Sequence, residues 1–260
     1  MILFIMEGEK EDPKLLKSLL AAYRNVLDFD ENSVGKEVIV SYTSNIYSLY
    51  HELENLEKDE GFFADLFPIV QKKNPCLEKY SKDDFSAIYL FFDLDIHGRC
   101  EEKTQSQLVE MAETFNNETE NGKLFISYPM VEAAKICDKD EGLFKEDRKM
   151  FPLEMCKRFK EFANNHSRSA INADSKENWN CICKENYRKA NWILNDKESN
   201  PDIDSLKKEM EQKDILDKEL EFVKNEKSVA TLSAYPMWLK DQLDPETIEK
   251  LFYNKLSEKV

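Results

Sequence analysis

Three acidic residues stand where their spacing can do chemistry. Glu7 follows the apolar run Ile2-Leu-Phe-Ile-Met6, and Asp93-Leu-Asp95 follows the apolar run Ala87-Ile-Tyr-Leu-Phe-Phe92. In an extended chain residues i and i+2 point to one side, so both aspartates are expected to face the same way at a strand tip. If the strand ending at Glu7 lies alongside, three carboxylates converge. Like charges so placed are costly unless a cation sits among them. Hard carboxylate oxygens, with positions left open for water, suit Mg²⁺ or Mn²⁺. Two such ions would stabilise both the attacking and the leaving oxygen of a phosphodiester cleavage. The expected catalytic residues are therefore Glu7, Asp93 and Asp95, with Mg²⁺ or Mn²⁺ as cofactor.

Further groups can extend this ligand set. Glu11 lies one helical turn beyond Glu7 and has two readings, a second-ion ligand or an acid favoured by the helix dipole. Ser127 and Glu132 follow the run Lys123-Leu-Phe-Ile-Ser127 and can join the site; Ser127 can instead cap a helix opened by Pro129. Lys10 can contact a phosphate or simply face solvent. His97 can bind metal, shuttle a proton or make a local hydrogen bond. Asp12 reads as a helix N-cap with Pro13 as first helical residue. Cys181-x-Cys183 lacks a second cysteine pair, which argues against zinc. No P-loop, G-x-G-x-x-G or G-x-S-x-G motif occurs, so nucleotide hydrolysis and serine chemistry have no support.

The elements that must position these residues follow from hydrophobic periodicity. Strands are expected at 2–6, 37–42, 87–92 and 123–127. Between them come helices carrying Leu15, Leu16, Leu19 and Tyr23, then Ile46, Leu49, Tyr50 and Leu53 behind an Asn45 cap, then Phe62 to Val70, then Leu108, Met111 and Phe115. Such alternation implies right-handed crossovers and a parallel sheet covered on both faces. Sites in such sheets form at the carboxyl ends of the strands. The fold class is thus α/β, a mainly parallel, Rossmann-like sheet flanked by helices. Residues 1–137 form the expected catalytic domain. Residues 138–260 form a helix-rich accessory region, with helices near 152–164, 177–194 and 203–225, a last helix at Asp244-Pro-Glu-Thr, and a possible late strand at 229–233 rejoining the sheet. The charge alternation of 203–225 predicts a solvated helix or hairpin arm.

Composition sets bounds. Sixteen Phe, ten Tyr and three Trp can fill a core, whereas six Gly and eight Pro are too few for a turn-rich all-β design. The formal net charge of −15 disfavours a broad phosphate-binding face. Bound divalent ions or a partner's basic groove would have to supply the positive charge. The six cysteines show no C-x-x-C spacing and are expected as free thiols in a reducing cytoplasm. No run approaches the ~20 apolar residues of a membrane span.

The ordered motifs resemble the TOPRIM family, in which a Glu ends a first strand and a D-x-D follows later. Phe4-Ile-Met-Glu-Gly-Glu-Lys-Glu-Asp-Pro13 resembles the E-G-E-K-(x)-E/D-P opening of RloB-like TOPRIM proteins. Phe91-Phe-Asp-Leu-Asp-Ile-His97 is similar to their F-D-x-D-x-H segment, and Ile126-Ser-Tyr-Pro-Met-Val-Glu132 to their I-S-x-P-x-x-E segment. The later chain resembles the DUF4435-type effectors of antiphage systems such as PARIS. The resemblance covers residues 1 to about 137. It implies a TOPRIM fold and a metal-dependent endonuclease or ribonuclease of antiphage defence, acting on DNA or on tRNA or other RNA. It also implies an ABC- or SMC-type ATPase partner and a possible homodimer; the lack of a long apolar run predicts no membrane association. In OLD-type relatives the position of Glu11 serves a second metal. The alternative expectation is a non-catalytic TOPRIM module that assembles with the ATPase.

Overall fold

Each of the four apolar runs forms a strand. In the computed structural model, which describes residues 1–27, 37–60, 65–95, 102–136, 149–166 and 175–253, β1 (Ile2–Met6), β2 (Glu37–Ser41), β3 (Ala87–Asp93) and β5 (Gly122–Ser127) lie parallel in the order β2-β1-β3-β5. A two-residue strand, β4 (Asn116–Asn117), pairs antiparallel at the outer edge of β5. The central runs, Ile2–Met6 and Ala87–Phe92, are apolar at every position because both sheet faces are covered there. Leu3 to Met6 and Ile88 to Phe92 are buried throughout.

The strand order fixes where a cleft opens. From β1 the chain crosses to β2 through α1 (Glu11–Tyr23). It then returns past β1 to β3 through α2 (Ile46–Glu60) and α3 (Leu66–Lys73). Right-handed crossovers running in opposite directions lie on opposite faces, so the loops after β1 and β3 part and leave a crevice at their carboxyl ends. Asn45 caps α2 by accepting the Ser48 N–H at 3.0 Å, as its sequence position predicts. The helix expected from Phe62 is described from Leu66, with Asp65 capping it through the Phe67 N–H; Phe62 and Phe63 lie outside the described residues. After β3, α4 (Glu102–Thr114) leads to β4 and β5.

The later half of the chain comes back to this sheet. It comprises α5 (Phe159–His166), α6 (Lys176–Asn195), α7 (Ile203–Lys208), α8 (Gln212–Asn225) and α9 (Ala234–Gln242). Phe4, Tyr89 and Phe91 share one sheet face, where Trp238 of α9 meets their rings at centroid distances of 5.6, 5.8 and 6.4 Å. On the opposite face Phe92 meets Tyr42 at 5.9 Å. Trp179 of α6 donates its indole N–H to Ser18 of α1 at 3.0 Å. One continuous hydrophobic core runs through both halves of the chain.

Four expectations need correction. First, α1 begins at Glu11 with Lys10 at the cap position, and Asp12 turns inward instead of capping. Second, Pro129 opens no α-helix: Tyr128–Pro129 is a cis peptide, followed by a 3₁₀ turn at Val131–Lys135. Third, the late strand, β7 (Ser228–Ala230), pairs with β6 (Met150–Pro152) in a separate two-stranded sheet. An isolated bridge between Tyr128 and Leu232 ties the following residues to the end of β5. Fourth, 203–225 is no solvated arm. It breaks into α7 and α8, and Leu206, Met210, Ile215, Leu216, Leu220 and Val223 are buried.

Glu219 lies on that buried stripe of α8, 0% exposed. One carboxylate oxygen accepts the Ala230 N–H at 2.9 Å, and the other has no hydrogen-bond partner. Burial pushes its pKa well above the ordinary carboxylate value. A raised folded-state pKa means the folded chain keeps a proton that the unfolded chain releases. The associated stability is complete below the unfolded value of 4.5 and is lost as pH rises through the folded one. Glu219→Gln is therefore expected to gain on wild type in thermal melting between pH 5 and pH 9. Parallel melting curves for the two proteins across that range would refute this.

Candidate functional site

The tips of β1 and β3 lie side by side, and Glu7 is locked between its neighbours. Its N–H donates to the Phe91 carbonyl at 2.9 Å, and its carbonyl accepts the Thr43 N–H at 3.0 Å. Its side chain reaches across the tip of β3, where Oε2 accepts the Asp93 N–H at 2.9 Å. The expected proximity of position 7 to Asp93 is met.

Asp93 ends β3, opposite Ser127 of β5. Its carboxylate accepts the Val131 N–H, yet Oδ1 is buried without any hydrogen-bond partner. Asp95 does not follow the i, i+2 alternation expected of it. The strand stops at Asp93, and Asp95 takes the left-handed conformation at φ +44°, where its Oδ2 accepts from Asn45 Nδ2 at 3.2 Å. Thr43, which hydrogen-bonds the Glu7 carbonyl, is also left-handed at φ +64°. A β-branched residue in that region is strained, and such strain clusters at functional sites.

The residue that sequence reasoning missed is Asp12. It lies on the same helical stripe as Leu15, Leu16 and Leu19 and is buried with them. Tyr235 of α9 donates its hydroxyl to Asp12 Oδ1 at 3.2 Å while its ring stacks on Phe91 at 5.0 Å. The Gly8 N–H also donates to the Asp12 carboxylate. The periodicity carried a signal, since Asp12 extends the apolar stripe by one position toward the N-terminus.

The remaining expected ligands have found other partners. Glu132 is buried and accepts an ion pair from Lys160 of α5 at 2.9 Å. Glu11 pairs with Lys135 at 3.4 Å. Ser127 Oγ accepts the N–H of Ala234, first residue of α9, at 3.3 Å, so it caps α9 and no helix at Pro129. His97 lies outside the described residues.

Electrostatics bind these acids into one group. Burial raises Glu7 to about 8, with Asp95 and Asp12 adding repulsion and the Asp93 N–H opposing it. Burial raises Asp12 to about 6 despite the Tyr235 hydrogen bond, with Glu132 adding to the rise. Asp93 is pushed well up by burial, then by Glu7, Asp12 and Glu132. Glu7 thus feels the charges of Asp95 and Asp12, and Asp93 those of Glu7, Asp12 and Glu132.

The donor chemistry suits a hard divalent ion: carboxylate oxygens, one of them buried and orphaned, in a group that would ionise readily beside a cation. Among the described residues no three His, Cys, Asp or Glu side chains stand in a ready ligand cage. Glu7 Oε2 is engaged by the Asp93 N–H and Glu132 by Lys160, so binding would require these contacts to rearrange.

The chain matches no family model, no curated protein and no solved structure. What the site can do follows from its own geometry. Among the described residues no helix is long and apolar enough to cross a membrane, and Cys76 and Cys183 are free thiols.

Gly8 has a specific task here. A Cβ on it would come within 2.7 Å of Asp12 Oδ2, too close for a packed contact. Gly8→Ala should push the Asp12 carboxylate out of the cluster and weaken Mn²⁺ binding by about 10-fold, the lower end of the cost of losing a supporting group. Circular dichroism should stay unchanged. Wild-type Mn²⁺ affinity in calorimetry of this variant would count against a role for Asp12.

Proposed function

We propose that this chain is a metal-dependent phosphodiesterase of the TOPRIM type, an endonuclease or ribonuclease. The supporting observation is the buried, partnerless Oδ1 of Asp93 within a group of raised carboxyls at the β1/β3 switch point. Glu7, Asp93 and Asp95 would hold Mg²⁺ or Mn²⁺, with Asp12 within reach of the same group. The ion would supply Lewis-acid stabilisation of a phosphoryl anion. Asn45 orients Asp95, and Tyr235 and Gly8 orient Asp12. In the metal-free chain Glu7, raised to about 8 by burial, keeps its proton near neutral pH and would release it on taking up the ion.

The role as an antiphage effector, the ATPase partner and a homodimer rest on the resemblance of the three ordered motifs, and a cytoplasmic location on the scattered cysteines without C-x-x-C spacing. The net charge of −15 favours a second reading, a non-catalytic TOPRIM module whose acidic surface docks a basic partner protein. Calorimetric titration with Mn²⁺, followed by cleavage screens on tRNA and duplex DNA with the candidate ATPase present and absent, separates the two. Saturable Mn²⁺ binding with cleavage supports the enzyme. Neither binding nor cleavage under any of these conditions leaves the module.

A further inference from the structure

A site built from carboxylates must still admit a phosphodiester, which is itself an anion. Among the described residues, Lys135 and Lys160 meet these carboxylates, and they differ in kind. Lys135 is largely buried and held twice, by Glu11 and by Asn164 Oδ1 at 3.4 Å each. Lys160 projects from α5 with 62% of its side chain exposed, while its ammonium reaches Glu132, whose side chain is 4% exposed. It is a solvent-reaching arm with its tip on the inner cluster, and its charge also feels Glu11 and Asp93. An ammonium on a flexible stem can change partners without moving the backbone.

We propose that Lys160 is the substrate-facing cation of this site, exchanging Glu132 for a non-bridging phosphate oxygen of a nucleic-acid strand. The inference rests on the phosphodiester reading of the acidic group. Glu7, Asp93 and Asp95 would hold the divalent ion, whose charge would lower the negative potential around Lys160 and leave its ammonium freer to turn outward. The shared ligand chemistry is the phosphodiester backbone, carried by DNA and RNA alike.

The test uses the full chain with Ca²⁺ replacing Mg²⁺, to slow turnover, and measures fluorescence anisotropy of a labelled DNA duplex and a labelled RNA hairpin. Lys160→Gln should bind the preferred nucleic acid about tenfold more weakly, and the slope of log affinity against log salt should fall by about one. Lys160→Arg should keep both. Mn²⁺ affinity of Lys160→Gln in calorimetry should be equal to or tighter than wild type, since a competing positive charge has gone. Unchanged anisotropy and salt slope in Lys160→Gln overturn the proposal. So does a parallel loss of Mn²⁺ affinity, which would make Lys160 a structural support. A wild-type chain that binds Mn²⁺ but neither nucleic acid overturns this inference and leaves the metal centre standing. One that binds nucleic acid through Lys160 but no Mn²⁺ does the reverse.

Discussion

Asp93→Asn is expected to bind Mn²⁺ more than about 100-fold more weakly than wild type, beyond the usual cost of losing a supporting group, and to lose phosphodiester hydrolysis. It should also melt several degrees higher in metal-free buffer at pH 8. The two effects have one cause. Asp93 is half-buried with its Oδ1 sealed from solvent, and burial first, then repulsion from Glu7, Asp12 and Glu132, holds its folded-state pKa well above the ordinary aspartate value. Glu7 is shifted the same way, from 4.5 to about 8. For both groups the folded state holds a proton longer than the unfolded state. Their contribution to stability is complete below the unfolded pKa and is lost as pH rises, for Glu7 across a window from 4.5 to about 8. At pH 8 the metal-free wild type has therefore lost much of that stability. Asparagine stays neutral at every pH and can still accept the Val131 N–H. A gain of about 1 kcal/mol corresponds to roughly 2–4 °C for a chain of this size. Saturating Mn²⁺ should raise the melting temperature of wild type and leave the variant unmoved. At pH 5 the advantage of the variant should shrink. If Asp93→Asn melts below wild type at both pH values and binds Mn²⁺ normally, the carboxylate is structural and the site fails.

Much of the frame was legible because the relevant signals are local. Continuous apolar runs can be buried on both faces only in a covered parallel sheet, and strand order then puts Glu7 and Asp93 at adjacent tips. The caps at Asn45 and Asp244 were legible for the same reason, since each hydrogen-bonds within three residues. The rest depended on partners far along the chain. Asp12 looks like any acid in a first helical turn, and what draws it inward is Tyr235, 223 residues away. Asp95 leaves the strand pattern because β3 ends at Asp93, two residues earlier than the D-x-D spacing assumes. Charge alternation over 203–225 concealed a buried stripe because Glu219, an acid, sits on it between Leu216 and Leu220. Lys160 carried no motif at all. Its meeting with Glu132 depends on a 3₁₀ turn where proline suggested a helix.

Trp238→Ala should cost about 3–5 kcal/mol, the range for removing a buried large aromatic, and lower the melting temperature by roughly 10 °C. The ring is fully buried against Phe4, Tyr89 and Phe91 and joins α9 to the centre of the sheet. Trp238→Phe should cost much less. The indole N–H is buried with no acceptor, so phenylalanine gives up area but also removes an unsatisfied donor. The larger substitution should reach the site as well. Tyr235 precedes Trp238 by one turn of α9, and a helix loosened from the sheet no longer holds that hydroxyl on Asp12. Mn²⁺ affinity of Trp238→Ala, measured well below its melting temperature, should fall while that of Trp238→Phe stays near wild type. A Trp238→Ala chain that melts within about 2 °C of wild type would mean that α9 does not clamp the sheet. The acids at its tips would then need some other element to hold them together.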